Sequence, residues 1–142
     1  MSQIVSLRLP DETARRLKML AKRERRSVNY IGAATIEERL RMNEFTGIAF
    51  RGSGEFRCAC LTNGPKVWTI IRVARGYDLD FDKTLKYFEL PREMIRAAFN
   101  YYEVYGEEID SILAEVDSMT FEDLKRDFPN IEVGPNPKRG RK

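Results

Sequence analysis

Apolar and polar positions alternate over Ile4-Val5-Ser6-Leu7-Arg8-Leu9-Pro10, predicting a short strand with Val5, Leu7 and Leu9 on one face and Ile4, Ser6 and Arg8 on the other. Pro10 has no N–H to continue a ladder, and Asp11 and Glu12 then place acidic charge where a helix N-terminus favours it. The period changes to helical. Ala14, Leu17, Leu20 and Ala21 form one apolar stripe, while Arg15, Arg16, Lys18, Lys22 and Arg23 cover the rest of that helix. Ser27 is a suitable N-cap for a second helix running to about Arg41. There Val28, Tyr30, Ile31, Ala33, Ala34, Ile36 and Leu40 occupy more than one stripe, so burial on two sides is expected.

Period two returns over residues 45–61, interrupted by Gly52 and Gly54, and predicts a β-hairpin. Val67, Trp68, Ile70, Ile71, Val73 and Ala74 make an apolar helix that stops at Gly76. A second helix is expected at about 80–89 with Phe81, Leu85 and Phe88 inward. A third over 92–105 starts after Pro91, and a fourth over 107–117 follows Gly106. Thr120 can cap a short helix over 121–127 that presents Phe121, Leu124 and Phe128 on one side. Pro129, Gly134, Pro135 and Pro137 then oppose regular structure ahead of the cationic end Lys138-Arg139-Gly140-Arg141-Lys142. The expected fold class is mainly α with short strands, organised as residues 1–44, 45–117 and 118–142.

Charge sharpens that division. The formal net charge is only +3, yet residues 1–44 carry ten Lys and Arg against six Asp and Glu, residues 45–117 nine against twelve, and residues 118–142 six against four. A basic N-terminal part points to nucleic acid, and an acidic middle to a different partner. There is no histidine, which removes every Ser-His-Asp or Cys-His arrangement and the usual nitrogen ligand for transition metals. Cys58 and Cys60 share one side of a strand, poor disulfide geometry, and read as packed thiols. Asp78, Asp80 and Asp82 are the densest acidic group, with the spacing of a loop and a helix N-cap; no phosphate-cradling glycine loop lies nearby. No catalysis, metal or cofactor is expected; the enzyme alternative, a carboxylate-dependent nuclease, lacks an acidic constellation. Without an 18-residue apolar run or a signal peptide's apolar core, the expected location is cytoplasmic, with no membrane.

A lone strand beside two short helices buries too little to fold by itself and leaves two strand edges unpaired. With Val5-x-Leu7-x-Leu9-Pro10-Asp11 and the turn Arg26-Ser27-Val28-Asn29, residues 3–42 resemble the ribbon-helix-helix family of DNA-binding proteins. The resemblance implies an N-terminal ribbon-helix-helix domain, a homodimer through paired N-terminal strands, and a ribbon in the major groove. Ile4, Ser6 and Arg8 would then face base edges, while Ser27, Val28 and Asn29 would hold a phosphate at the start of the second helix. Ile4 stands where the family usually has a polar residue.

The middle has the helix, short joint and longer helix of a helix-turn-helix, but its acidic charge opposes a DNA role. Gly47-Ile48-Ala49-Phe50-Arg51, Val67-Trp68-x-Ile70, Leu90-Pro91, Ile95-Arg96-Ala97-Ala98-x-x-Tyr101-Tyr102-x-x-Tyr105 and Glu107-Glu108-Ile109-Asp110 resemble a small helix-turn-helix-like domain of bacterial VapB-type antitoxins. This second resemblance covers roughly residues 46–113. It implies an antitoxin of a type II toxin-antitoxin system that neutralises a PIN-like nuclease toxin, represses its own operon at operator DNA, and joins the toxin in a larger hetero-oligomer. Phe121, Leu124 and Phe128 would fill a groove on the toxin, and Lys138, Arg139, Arg141 and Lys142 would pair with the carboxylates that hold its Mg²⁺, the alternative use of these cations being contact with DNA phosphates. The alternative is a plain ribbon-helix-helix repressor whose second domain oligomerises or senses a ligand.

Overall fold

The computed structural model describes residues 2–119 together with Asp123 and Arg126; these contain five α-helices and one two-stranded antiparallel sheet. Helix α1 spans Asp11–Glu24 and starts on the Pro10 carbonyl, which accepts from the Ala14 N–H at 2.9 Å. It stops where Arg25 turns left-handed (φ 56°), so that the Arg26 N–H reaches the Ala21 carbonyl at 3.0 Å. Helix α2 spans Val28–Glu44 and is capped by Ser27, whose Oγ accepts from the Tyr30 N–H at 3.0 Å. The two helices pack on each other.

No strand forms over residues 3–10, and the expected order of a ribbon-helix-helix domain followed by a hairpin is overturned. The one sheet among the described residues lies between helices, pairing β1, Ile48–Arg51, with β2, Cys58–Leu61. A ladder needs a second strand within reach. β1 and β2 supply each other across a short connection containing the 3₁₀ turn Gly54–Phe56, whereas among the described residues no segment pairs with residues 3–10. Ile4 is consequently 99% exposed. The expected two-sided burial of α2 is also absent in the single chain. Ile31 is buried, but Val28, Tyr30, Ile36 and Leu40 are exposed.

Gly52 opens the β1–β2 connection with φ 106°, and a Cβ there would sit 2.7 Å from the Phe56 carbonyl oxygen. Only glycine fits without movement. Beyond β2 come α3, Val67–Gly76, α4, Phe81–Phe88, and α5, Arg92–Ser118. The Asp80 carboxylate caps α4 by accepting from the Lys83 N–H at 2.9 Å. Helix α5 is two helices run together across a kink, in the place of the two expected over 92–105 and 107–117. Tyr105 leaves helical geometry between them (φ −109°, ψ 35°), next to the Gly106 expected to divide them. Tyr101 before the kink and Ile109 and Leu113 after it are buried in one core, which holds both halves against the same body.

That core joins Ile48 and Leu61 of the sheet to Val67, Ile70 and Ile71 of α3 and to Ile95, Ala98 and Tyr101 of α5. Helix α4 leans on it through Phe81, Leu85 and Phe88. By contrast α1 and α2 contribute only Ala21 and Ile31 to the fully buried residues. The well-packed body begins near Phe45.

Candidate functional site

Two surfaces carry chemistry, the basic N-terminal part and the junction that joins it to the body. In the first, Ile4, Ser6 and Arg8 are exposed in an irregular segment, and Ser27, Val28 and Asn29 are exposed at the start of α2. No hydrogen bond or ion pair among the described residues draws the two groups together. Ser27 Oγ spends an acceptor site on its cap, which leaves the hydroxyl proton to donate elsewhere. Arg15 is held by Glu12 through a 3.0 Å bond from Nε, and that contact keeps the Glu12 carboxyl below its ordinary range. Arg26 lies 4.8 Å over the Tyr30 ring. Arg8, Arg16, Lys18, Lys22, Arg23, Arg25 and Arg39 make no ion pair among the described residues, so an anionic partner would find them uncommitted.

The junction is built around Arg41, on the last turn of α2. Its Nη1 donates to the Tyr101 hydroxyl at 2.7 Å and to Glu108 Oε1 at 2.8 Å, and its Nε donates to Glu37 at 3.0 Å. The guanidinium also lies 3.8 Å over the Tyr105 ring. Tyr101 in turn donates to Glu108 Oε2 at 2.7 Å. Burial by itself would lower the Arg41 pKa, but the bonds to Glu108 and Glu37 outweigh it and raise it. For Tyr101, burial and then the bond to Glu108 push the phenol up. Phe45 packs edge-on against Tyr101 and Tyr105. A second clamp lies alongside, where Arg57 meets Glu38 of α2 with two bonds of 2.7 and 2.6 Å. The i,i+4 pair Glu37–Arg41 is visible in the sequence, whereas the Tyr101 and Glu108 partners are sixty and more residues distant and carry no local signal.

Among the described residues no group of three or more His, Cys, Asp or Glu could hold a metal ion. Asp80 is engaged as the α4 cap and Asp82 lies 3.8 Å from Arg92. Cys58 and Cys60 are free thiols; burial pushes Cys58 up, and Cys60 Sγ accepts from Arg51 Nε at 2.9 Å. No helix among the described residues is long and apolar enough to cross a membrane. Comparisons with protein-family models, curated proteins and solved structures each return no match. The toxin-facing residues expected from the sequence, Phe121, Leu124, Phe128, Lys138, Arg139, Arg141 and Lys142, lie outside the described residues.

Proposed function

We propose that this chain is a DNA-binding antitoxin that acts in the cytoplasm. Its basic N-terminal surface binds operator DNA and represses its own operon, while the C-terminal part neutralises a PIN-like nuclease encoded alongside. Two copies associate through apolar residues of the N-terminal part, and the dimer joins the toxin in a larger complex. The observation that carries this reading is a contrast within one chain. Residues 45–113 close around their own core, whereas residues 4–42 leave ten large apolar side chains exposed beside uncommitted arginines and lysines. Exposed apolar surface on that scale marks a contact with another macromolecule, and cations free of partners favour a polyanion. The likeness to VapB-type antitoxins names the class of both partners.

Co-expression with the protein encoded beside it tests the reading. The expected outcome is a co-purifying complex that binds the DNA upstream of the gene pair and has lost Mg²⁺-dependent nuclease activity. Binding to that DNA with no effect on the neighbour would leave a plain repressor; failure of both would refute the proposal.

A further inference from the structure

A groove of about 700 Å³ lies between the last turn of α2 and the kink of α5, and four of the side chains lining it are carboxylates, Glu103, Glu107, Glu108 and Asp110. Glu108 is matched by Arg41, the cation of the lining, and Asp110 by Arg75 of α3. Glu103 and Glu107 are exposed and make no ion pair among the described residues. They stand four residues apart along one helix, a spacing at which like charges repel unless a cation comes between them. Beside them Val104 is 63% exposed. An apolar side chain flanked by unmatched carboxylates suits lysine or arginine, whose stem covers apolar surface while its head pairs with the acid.

We infer that in the free chain this groove holds the chain's own cationic end, Lys138-Arg139-Gly140-Arg141-Lys142. That segment carries four cations in five residues and no acid, the complement of the lining. The chain is long enough to return. Helix α5 ends at Ser118, and Glu107 lies eleven residues (118 − 107) back along it, about 17 Å at the helical rise. Twenty residues (138 − 118) separate Ser118 from Lys138, a contour of up to roughly 65 Å. Attachment to the same chain gives the end an effective concentration in the millimolar range, well above that of a second copy at micromolar protein, so a contact of a few ion pairs is filled from within. A partner that takes these cations must first draw them out of the groove. The contact belongs to the free chain and does not depend on the antitoxin reading.

Heteronuclear NMR of the full chain at low salt tests this. Neutralising the end with Lys138→Gln, Arg139→Gln, Arg141→Gln and Lys142→Gln together should shift the amide signals of residues 103–110 and leave those of 67–76 in place. The shifts should vanish at about 0.5 M salt, where ion pairs at a surface are screened. In a chain already carrying Glu103→Gln and Glu107→Gln, neutralising the end should move the same signals at least fivefold less. Carbodiimide coupling then identifies the occupant, by joining Lys138 or Lys142 to Glu103 or Glu107 in an equilibrated mixture of isotopically light and heavy chains. Links within one chain are expected. Links that mix light and heavy chains would put a second copy's end in the groove and overturn the inference. Signals of residues 103–110 that ignore the neutralised end would overturn it as well. Either failure leaves inhibition of the neighbouring nuclease, which tests the antitoxin reading, a separate result.

Discussion

Arg41 shares its charge with Glu37 and Glu108 and supports the Tyr101 hydroxyl, whereas Arg8 stands exposed with no ion pair among the described residues. Truncating them should have unrelated effects. For Arg8→Ala, operator affinity should fall by about 1–3 kcal/mol with little change on random duplex, the mark of a base contact. Fluorescence anisotropy on both duplexes measures this, and equal losses would make Arg8 a phosphate contact only. Tyr101 bears on pH. An unfolded tyrosine ionises at about 10, and the folded chain holds this phenolic proton more tightly. The stability it contributes is therefore whole below that pH and declines as pH rises above it. Urea midpoints taken from about pH 9 to 11 should fall less steeply for Tyr101→Phe than for the native chain. Parallel slopes would show that Tyr101 does not control the decline.

At the level of elements, the helices whose apolar period was strong lie close to where their patterns place them, as in α4, whose Phe81, Leu85 and Phe88 face was legible. The division of α5 was legible as well, since Tyr105 leaves helical geometry next to the Gly106 that reads as a stop. One element was not. Residues 3–10 have a strand's alternation, but alternation describes a face and cannot supply the partner that a ladder needs. Arg41 was equally opaque, since its partners Tyr101 and Glu108 are joined to it only by the tertiary fold. Local chemistry still leaves a usable handle at the end of α4, where Glu89 sits at φ 53° in the left-handed region. Glu89→Gly should stabilise the fold by about 0.5–1 kcal/mol, read as a higher urea midpoint. A lower midpoint would mean that the Glu89 side chain makes a compensating contact.

Across the whole molecule, a closed body with an acidic sequence carries a basic, under-packed pair of helices at one end, and a cationic sequence follows at the other. That distribution suits a protein that works by holding two different partners. If the C-terminal cations engage the toxin, removing residues 138–142 should weaken nuclease inhibition at least tenfold and leave the salt dependence of operator binding unchanged. A reduced salt slope with inhibition intact would assign those residues to DNA. The proposed antitoxin role requires a nuclease encoded alongside this chain. Titrating that enzyme with the full chain, with Mg²⁺-dependent cleavage as the readout, should give a loss of activity that is complete at a fixed molar ratio. Cleavage that continues undiminished in the presence of excess chain would contradict the assignment as an antitoxin.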